Sequence, residues 1–375
     1  MKMRSCKLFL GIFLPSVLCT CAPDRQQIIT VDVTKIYPES EYVLQEVAEV
    51  EYLPLETKDD FLIDYVRVLY MDDKEIFIGN RGGFFTYDRI TGKALRSFNR
   101  QGNGGQEYPF ILKLTYDREN EEIGILTPGN RVCVYHPQGG FKREFSVPMG
   151  TREMYQLDKC RLLIDREIDT LLRPFSVISQ QDGSELDKIG VSIPSKIQRP
   201  VRVSPDGQIV MVMFIEQIQG SGNKFLLSNV SADTVFSYTL DGVITPVLVR
   251  TPSVQKMDPK IILLAGTDYG RFFFFNTEHF GDDPGIPAQK LAYDRHTGEI
   301  VAPHFTDAGY TTKKEVSLPV RNTAQITDGW LVIGIPADQL CEAYARGELQ
   351  GRLQEVAAGI KEDDNPVLML VRFKN

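Results

Sequence analysis

The chain is patterned in short alternating apolar runs, and the runs come in sets. Glu75-Ile-Phe-Ile-Gly-Asn80 is followed by Gly83-Phe-Phe-Thr-Tyr-Asp88, by the turn Arg89-Ile-Thr-Gly92 and by Lys93-Ala-Leu-Arg-Ser-Phe98. A period of two is that of a β-strand, so this stretch predicts strand, strand, tight turn, strand. The same order recurs at Ile123-Gly-Ile-Leu126, Val132-Cys-Val-Tyr135, His136-Pro-Gln-Gly139 and Phe141-Lys-Arg-Glu-Phe145. It returns at Phe175-Ser-Val-Ile178 with Gln181-Asp-Gly183, at Val235-Phe-Ser-Tyr238 with Leu240-Asp-Gly242, and at Leu291-Ala-Tyr-Asp294 with Arg295-His-Thr-Gly298. Each turn places Gly where a hairpin needs a positive φ.

The spacing of these copies predicts the fold. Tyr87, Tyr135, Tyr238 and Tyr293 lie 48, 103 and 55 residues apart, and the long gap divides at Ile178. Units of this length with four short strands fit propeller blades, whose periods run roughly 40–50 residues plus insertions. Counting from Leu62 leaves room for six. A sandwich would not repeat the turn so regularly, and a β-helix has a shorter period. The expected fold is therefore all-β, a single six-bladed β-propeller of four-stranded blades over residues 28–375. A ring must be closed, because an open blade exposes strand edges. Ile28-Ile-Thr-Val-Asp-Val33 and Val367-Leu-Met-Leu-Val-Arg-Phe373 are both strand-like and offer a closing pair. Between 337 and 361 the period changes: Leu340, Tyr344, Leu349, Leu353, Val356 and Ile360 recur at helical spacing between Pro336 and Asp364-Asn365-Pro366. This predicts a small helical insertion in the last blade.

The N-terminus reads as an address. Lys2, Arg4 and Lys7 precede an apolar run over residues 8–18. That run is shorter than the roughly 20 residues needed to span a bilayer, so residues 1–21 read as an export signal. Leu18-Cys19-Thr20-Cys21 resembles a bacterial lipobox, with Thr20 where Gly, Ala or Ser is usual. Cys21 is the expected lipid acceptor and residues 22–27 the tether, which points to the bacterial cell envelope and to the outer membrane, on either its periplasmic or its surface side. The chain has 375 residues, 42 Lys+Arg against 50 Asp+Glu, and a net charge of −8. Removing the signal leaves 39 basic residues against 50 acidic ones, a net charge of −11. That balance argues against nucleic acid as a partner and against attraction to anionic lipid, so anchoring falls to the lipid on Cys21. Cys133, Cys160 and Cys341 remain, an odd number with no CxxC and no zinc spacing, and read as structural thiols with room for at most one disulfide.

Three segments then carry a family resemblance. Glu51-Tyr-Leu-Pro-Leu-Glu-Thr57 resembles the opening motif of the six-bladed β-propeller lipoproteins abundant in Bacteroidetes, related to NHL-type propellers. Gly102-Asn-Gly-Gly-Gln-Glu-Tyr108 is similar to that family's GxGPGEY turn, with Gly105 in place of Pro and Gln106 in place of Gly. Asp363-Asp-Asn-Pro-Val-Leu368 resembles its C-terminal signature. The resemblance runs from about Val31 to the end of the chain. It implies a propeller fold and an envelope location, and it brings no reaction and no catalytic residue.

The candidate chemistry is sparse. Gly102 to Gly105 lacks the following helix and the Gly-Lys-Ser/Thr of a phosphate loop, and reads as a turn between blades. No Gly-x-Ser-x-Gly is present, Ser204-Pro-Asp-Gly207 lacks the rest of a sialidase Asp box, and the one Trp excludes a broad Trp platform for sugars. Polar residues at the ends of second strands converge on one mouth of a propeller channel, where ligands commonly bind. Asn80, Arg81, Arg166, Glu216, Glu278 and His279 are the candidates by this rule. Calcium is the one metal suggested, through the oxygen atoms of Glu278, Asp282 and Asp283. The sequence thus reads as a non-enzymatic binding module for a glycan, a peptide or an uptake-system partner in the envelope. The alternative is a calcium-assisted hydrolase of lactonase or esterase type working in the channel.

Overall fold

The computed structural model describes residues 28–375 apart from 167–172, 192, 194, 198–200, 204–208, 213–214, 281–284 and 322–323. Residues 1–21, read as an export signal with Cys21 as lipid acceptor, residues 22–27, read as a tether, Ser204-Pro-Asp-Gly207, Asp282 and Asp283 therefore lie outside the described residues.

Six small sheets form a ring. Blade 1 runs Val68–Met71, Glu75–Asn80, Gly83–Asp88 and Ala94–Asn99, and blade 2 runs Lys113–Asp117, Glu122–Thr127, Arg131–Tyr135 and Phe141–Ser146. Blade 3 runs Met154–Gln156, Arg161–Asp165, Phe175–Ser179 and Glu185–Ile189, and blade 4 runs Ile218–Ser221, Lys224–Leu227, Thr234–Thr239 and Ile244–Thr251. Blade 5 runs Lys260–Tyr269, Phe272–Phe280, Gln289–Asp294 and Glu299–Thr306. In each the strands are antiparallel and ordered from the channel outward. Blade 6 pairs Leu331–Ile335 with Val367–Phe373, and Val367–Phe373 with Ala48–Pro54. A further two-stranded hairpin, Val201–Val203 with Ile209–Val212, stands between blades 3 and 4. The chain is thus a six-bladed β-propeller.

Burial follows the position of a strand in its blade. A middle strand is covered on both faces by its neighbours, so it reads as an unbroken apolar run. Phe272, Phe273, Phe274 and Phe275 are all buried. The first and third pack with Phe305 and Phe373, and the second and fourth with Leu226, Val235 and Leu248. Outer strands alternate: in Ala94–Asn99 and Phe141–Ser146 every second side chain is exposed. The hairpins joining third to outer strands carry Gly92, Gly139, Gly183, Gly242 and Gly298, all at positive φ. At Gly92 there is a second constraint, because a Cβ there would stand 2.0 Å from the Pro54 carbonyl oxygen of the neighbouring blade.

The ring closes differently from the pairing the sequence suggested. Ala48–Pro54, which holds most of the Glu51 to Thr57 motif, pairs with Val367–Phe373 over seven residues, from Ala48 opposite Phe373 to Pro54 opposite Val367. Ile29–Asp32 instead lies parallel to Ile244–Thr251 as a fifth strand on blade 4, and Glu39–Val43 lies parallel to Glu299–Thr306 on blade 5. The alternating pattern of 28–33 suits any sheet edge. What selects blade 4 is the burial of Val31 and Val33 among Leu248, Ile261 and Phe275.

The helices Ala337–Ala345 and Gly351–Ala357 sit between the strands Leu331–Ile335 and Val367–Phe373 of blade 6. Their Leu340, Leu353 and Val356 share a core with Tyr52, Phe305 and Phe373. The glycine-rich turn leads from blade 1 into the strand Lys113–Asp117, with no helix behind it. Its Gly104 N–H donates to the Glu107 carboxylate at 2.8 Å, and its Tyr108 is buried. The anion at this turn is its own glutamate. Among the described residues no helix is long and apolar enough to cross a membrane.

Candidate functional site

In an antiparallel blade the start of the inner strand lies beside the end of the second strand, as Met154 lies opposite Ile164 in blade 3. Both therefore deliver residues to the same mouth of the channel. Lys113 opens the inner strand of blade 2, Glu153 immediately precedes that of blade 3, Glu216 lies two residues before that of blade 4, Asp165 ends the second strand of blade 3, and Glu278 nears the end of that of blade 5.

A strap, of which residues 318–321 and 324–326 are described, runs along the inside of the ring. The Val320 carbonyl accepts from the Thr267 N–H of blade 5 at 2.7 Å. Arg321 donates to the Ala265 carbonyl of blade 5 at 3.2 Å and to the Glu216 carbonyl before blade 4 at 2.7 Å. Gln325 reaches blade 3, where its amide oxygen accepts from Gln156 N–H at 2.9 Å and its amide nitrogen donates to the Gln156 carbonyl at 3.1 Å. Gln325–Ile326 pairs in parallel with Tyr70 and Met71 of blade 1. The described parts of the strap are thus tied to blade 5 and the residues before blade 4 at one end and to blades 3 and 1 at the other.

The mouth of the channel carries both signs of charge at its rim. Lys113 Nζ lies 3.8 Å from Glu216 Oε1 and 5.4 Å from the centre of the Tyr155 ring. Arg321 Nη1 lies 3.7 Å from Glu278 Oε1. At these separations the ions attract without a direct hydrogen bond. The Glu216 and Glu278 side chains are 40% and 35% exposed, so they meet solvent while their cations are largely covered. Below them, the Glu153 carboxylate is buried and accepts from the backbone N–H groups of Gln217 and Ile218, the latter at 2.9 Å. Asp165 in turn accepts from the N–H groups of Arg152 and Glu153, each at 2.7 Å. Burial, and after it the charge of Asp165, pushes the Glu153 carboxyl up to about 8 against the opposing pull of Lys113 and the Gln217 amide. Tyr155, buried beneath, is pushed well above its usual range by burial and by Glu153.

Of the residues singled out from sequence, Glu216 and Glu278 meet at this rim, joined by Arg321. Arg166 turns to its own blade, with Nη1 at 2.5 Å from Glu185 Oε2. His279 engages the Ile286 carbonyl within its loop. Arg81 is exposed and pairs with Asp64 at 3.0 Å, while Asn80 lines a separate small cavity on blade 1. Lys113, Glu153, Asp165 and Arg321 were not on the list. Lys113 did leave a signal, a lysine inside the apolar run Ile111-Leu-Lys-Leu-Thr115. Arg321 left none, because the strap has no strand period. Among the described residues no group of three or more His, Cys, Asp or Glu stands close enough to hold a metal ion. Cys133, Cys160 and Cys341 are free thiols, and burial raises the Cys133 thiol away from its reactive form.

With this geometry in place, the comparisons place the chain. The family described as "Domain of unknown function (DUF4934)" matches residues 28–372, and the chain belongs to it. A Bacteroides fragilis protein described as exported has a similar crystal structure, with a TM-score of 0.64 at 16% identity, covering 93% of this chain and 100% of that one. A Staphylococcus aureus virginiamycin B lyase overlaps with a TM-score of 0.31 at 11% identity, covering 65% of this chain and 88% of the lyase. The C-terminal WD40 domain of Sif2 overlaps at 0.32 with 13% identity, covering 60% and 56%. At that level the last two bear on nothing further. No curated protein matches the sequence.

Proposed function

We propose that this DUF4934 propeller is an exported, lipid-anchored envelope protein that binds a ligand or a partner protein at the charged mouth of its channel and catalyses no reaction. The observation that carries the reading is the meeting of Lys113, Glu216, Glu278 and Arg321, from three blades and the strap. A rim of mixed charge at a propeller mouth suits a polar, charge-bearing ligand such as a peptide, a charged glycan or the face of an uptake-system partner. The similar Bacteroides fragilis protein, described as exported, and the Leu18 to Cys21 segment support the location.

Two measurements test it. In a peptide and glycan screen on the purified protein, a ligand found for the wild type should bind at least tenfold more weakly to Lys113→Ala. No ligand in the screen and no co-purifying envelope protein would overturn the binding role. Separately, Cys21→Ser should abolish incorporation of labelled palmitate and release the protein from the membrane fraction. Persistent labelling would remove Cys21 as the acceptor.

A further inference from the structure

On the same face as the charged mouth, blade 1 carries a separate cavity of about 140 Å³ lined by Arg67, Asn80, Gln101 and Phe110, with Leu69 and Ile111 as its apolar wall. None of these residues belongs to the charged rim. Phe110 presents a ring that is 51% exposed. The Asn80 amide and the Arg67 guanidinium bond to no other described group of the protein, so their donors and acceptors are available. Gln101 is held in place: its amide nitrogen donates to the Pro109 carbonyl at 2.7 Å and its backbone N–H to Asn99 Oδ1 at 2.9 Å. Its side chain lies over Gly82, where a Cβ would stand 2.0 Å from Gln101 Oε1. A residue with a side chain at 82 would displace the Gln101 amide from this wall.

The chemistry of that lining is selective. The chain as a whole carries −8, yet the cavity is lined by one guanidinium and no carboxylate. A guanidinium fork matches a carboxylate through two parallel hydrogen bonds. A free amino acid would also bring an ammonium group, for which the lining has no anion. Two side-chain amides each offer a donor and an acceptor, which suits hydroxyl groups. An exposed aromatic ring suits the C–H face of a saturated ring. The volume is roughly half the 300 Å³ at which pockets for drug-sized ligands begin, so it admits one ring and not a chain.

We propose that this cavity is a subsite for a uronic acid, with the sugar carboxylate on Arg67, one face of its ring on Phe110 and its hydroxyls on Asn80 and Gln101. The site goes beyond the binding role proposed above and does not depend on it. Calorimetric titration of the full purified chain with glucuronate, galacturonate, glucose and glucose 6-phosphate tests it. Either uronate should bind at least tenfold more tightly than glucose. Arg67→Ala should erase that preference and Phe110→Ala should weaken uronate tenfold, with melting temperatures unchanged because both side chains are exposed. Lys113→Ala should leave uronate binding intact, which separates this site from the mouth. Equal binding of glucose, binding of the phosphate alone, or no uronate binding would each overturn the assignment.

Discussion

A chain ending at Pro366 should fail to fold, giving insoluble or protease-sensitive protein without a cooperative melt. The missing strand, Val367–Phe373, is the centre of blade 6 and is hydrogen-bonded on one side to Leu331–Ile335 and on the other to Ala48–Pro54. Removing it opens two strand edges and unfastens the only blade that joins the two ends of the ring. It also removes Val367, Leu368, Met369, Leu370, Val371 and Phe373, all buried. At roughly 1.5–3 kcal/mol for each large apolar side chain, their burial is comparable with the entire net stability of a domain, about 5–15 kcal/mol. Deleting residues 28–43 is the contrasting experiment. Those strands are added to the outer edges of blades 4 and 5, so the ring stays closed, and the melt should remain cooperative at a lower temperature. A cooperative melt for the C-terminal truncation would show that the ring does not need this fastening.

Glu153→Ala should be the most destabilising single substitution at the mouth, by about 2–5 kcal/mol in chemical denaturation. The loss is not of a charge but of an acceptor: the backbone N–H groups of Gln217 and Ile218 would be left buried without partners, at roughly 1–3 kcal/mol each. The same carboxyl also makes stability depend on pH, with a sign opposite to that of an ordinary paired acid. Its pKa in the folded protein is raised to about 8, above the 4.5 of an ordinary glutamate. Between these values the folded protein holds a proton that the unfolded chain has released. The contribution is therefore complete below about pH 4.5 and is lost as pH rises through 8. The melting temperature should fall between pH 5 and pH 9, and Glu153→Gln, which cannot ionise, should flatten that fall. An unchanged slope in the Gln variant would place the titration elsewhere.

Much of the fold is legible in the sequence because its determinants are local. The glycines at 92, 139, 183, 242 and 298 each occupy the positive-φ position of a hairpin, and that requirement is met within four or five residues. Alternating outer strands and unbroken middle strands such as Phe272 to Phe275 follow from how many faces a strand covers. The helical spacing of Leu340, Leu353 and Val356 is likewise a local period. The site was only half legible. The second-strand rule named Glu278, which nears the end of that strand in blade 5, but Glu216, named by the same rule, precedes the inner strand of blade 4 instead. It also returned Arg166 and His279, whose side chains turn to partners in their own blade, because side-chain direction depends on the loop and not on the strand.

The sequence by itself therefore determined the repeat, its turns and the six-bladed ring. Only the tertiary structure decided which strand closes the ring. The edge pattern of 28–33 and that of 48–54 are interchangeable locally, and the choice rests on which neighbours bury Val31 and Val33. It also decided where the strap is anchored. The strap joins Val320 to Thr267, Arg321 to Glu216 and Gln325 to Gln156, pairs separated by 53, 105 and 169 positions, and no local period records a contact of that range.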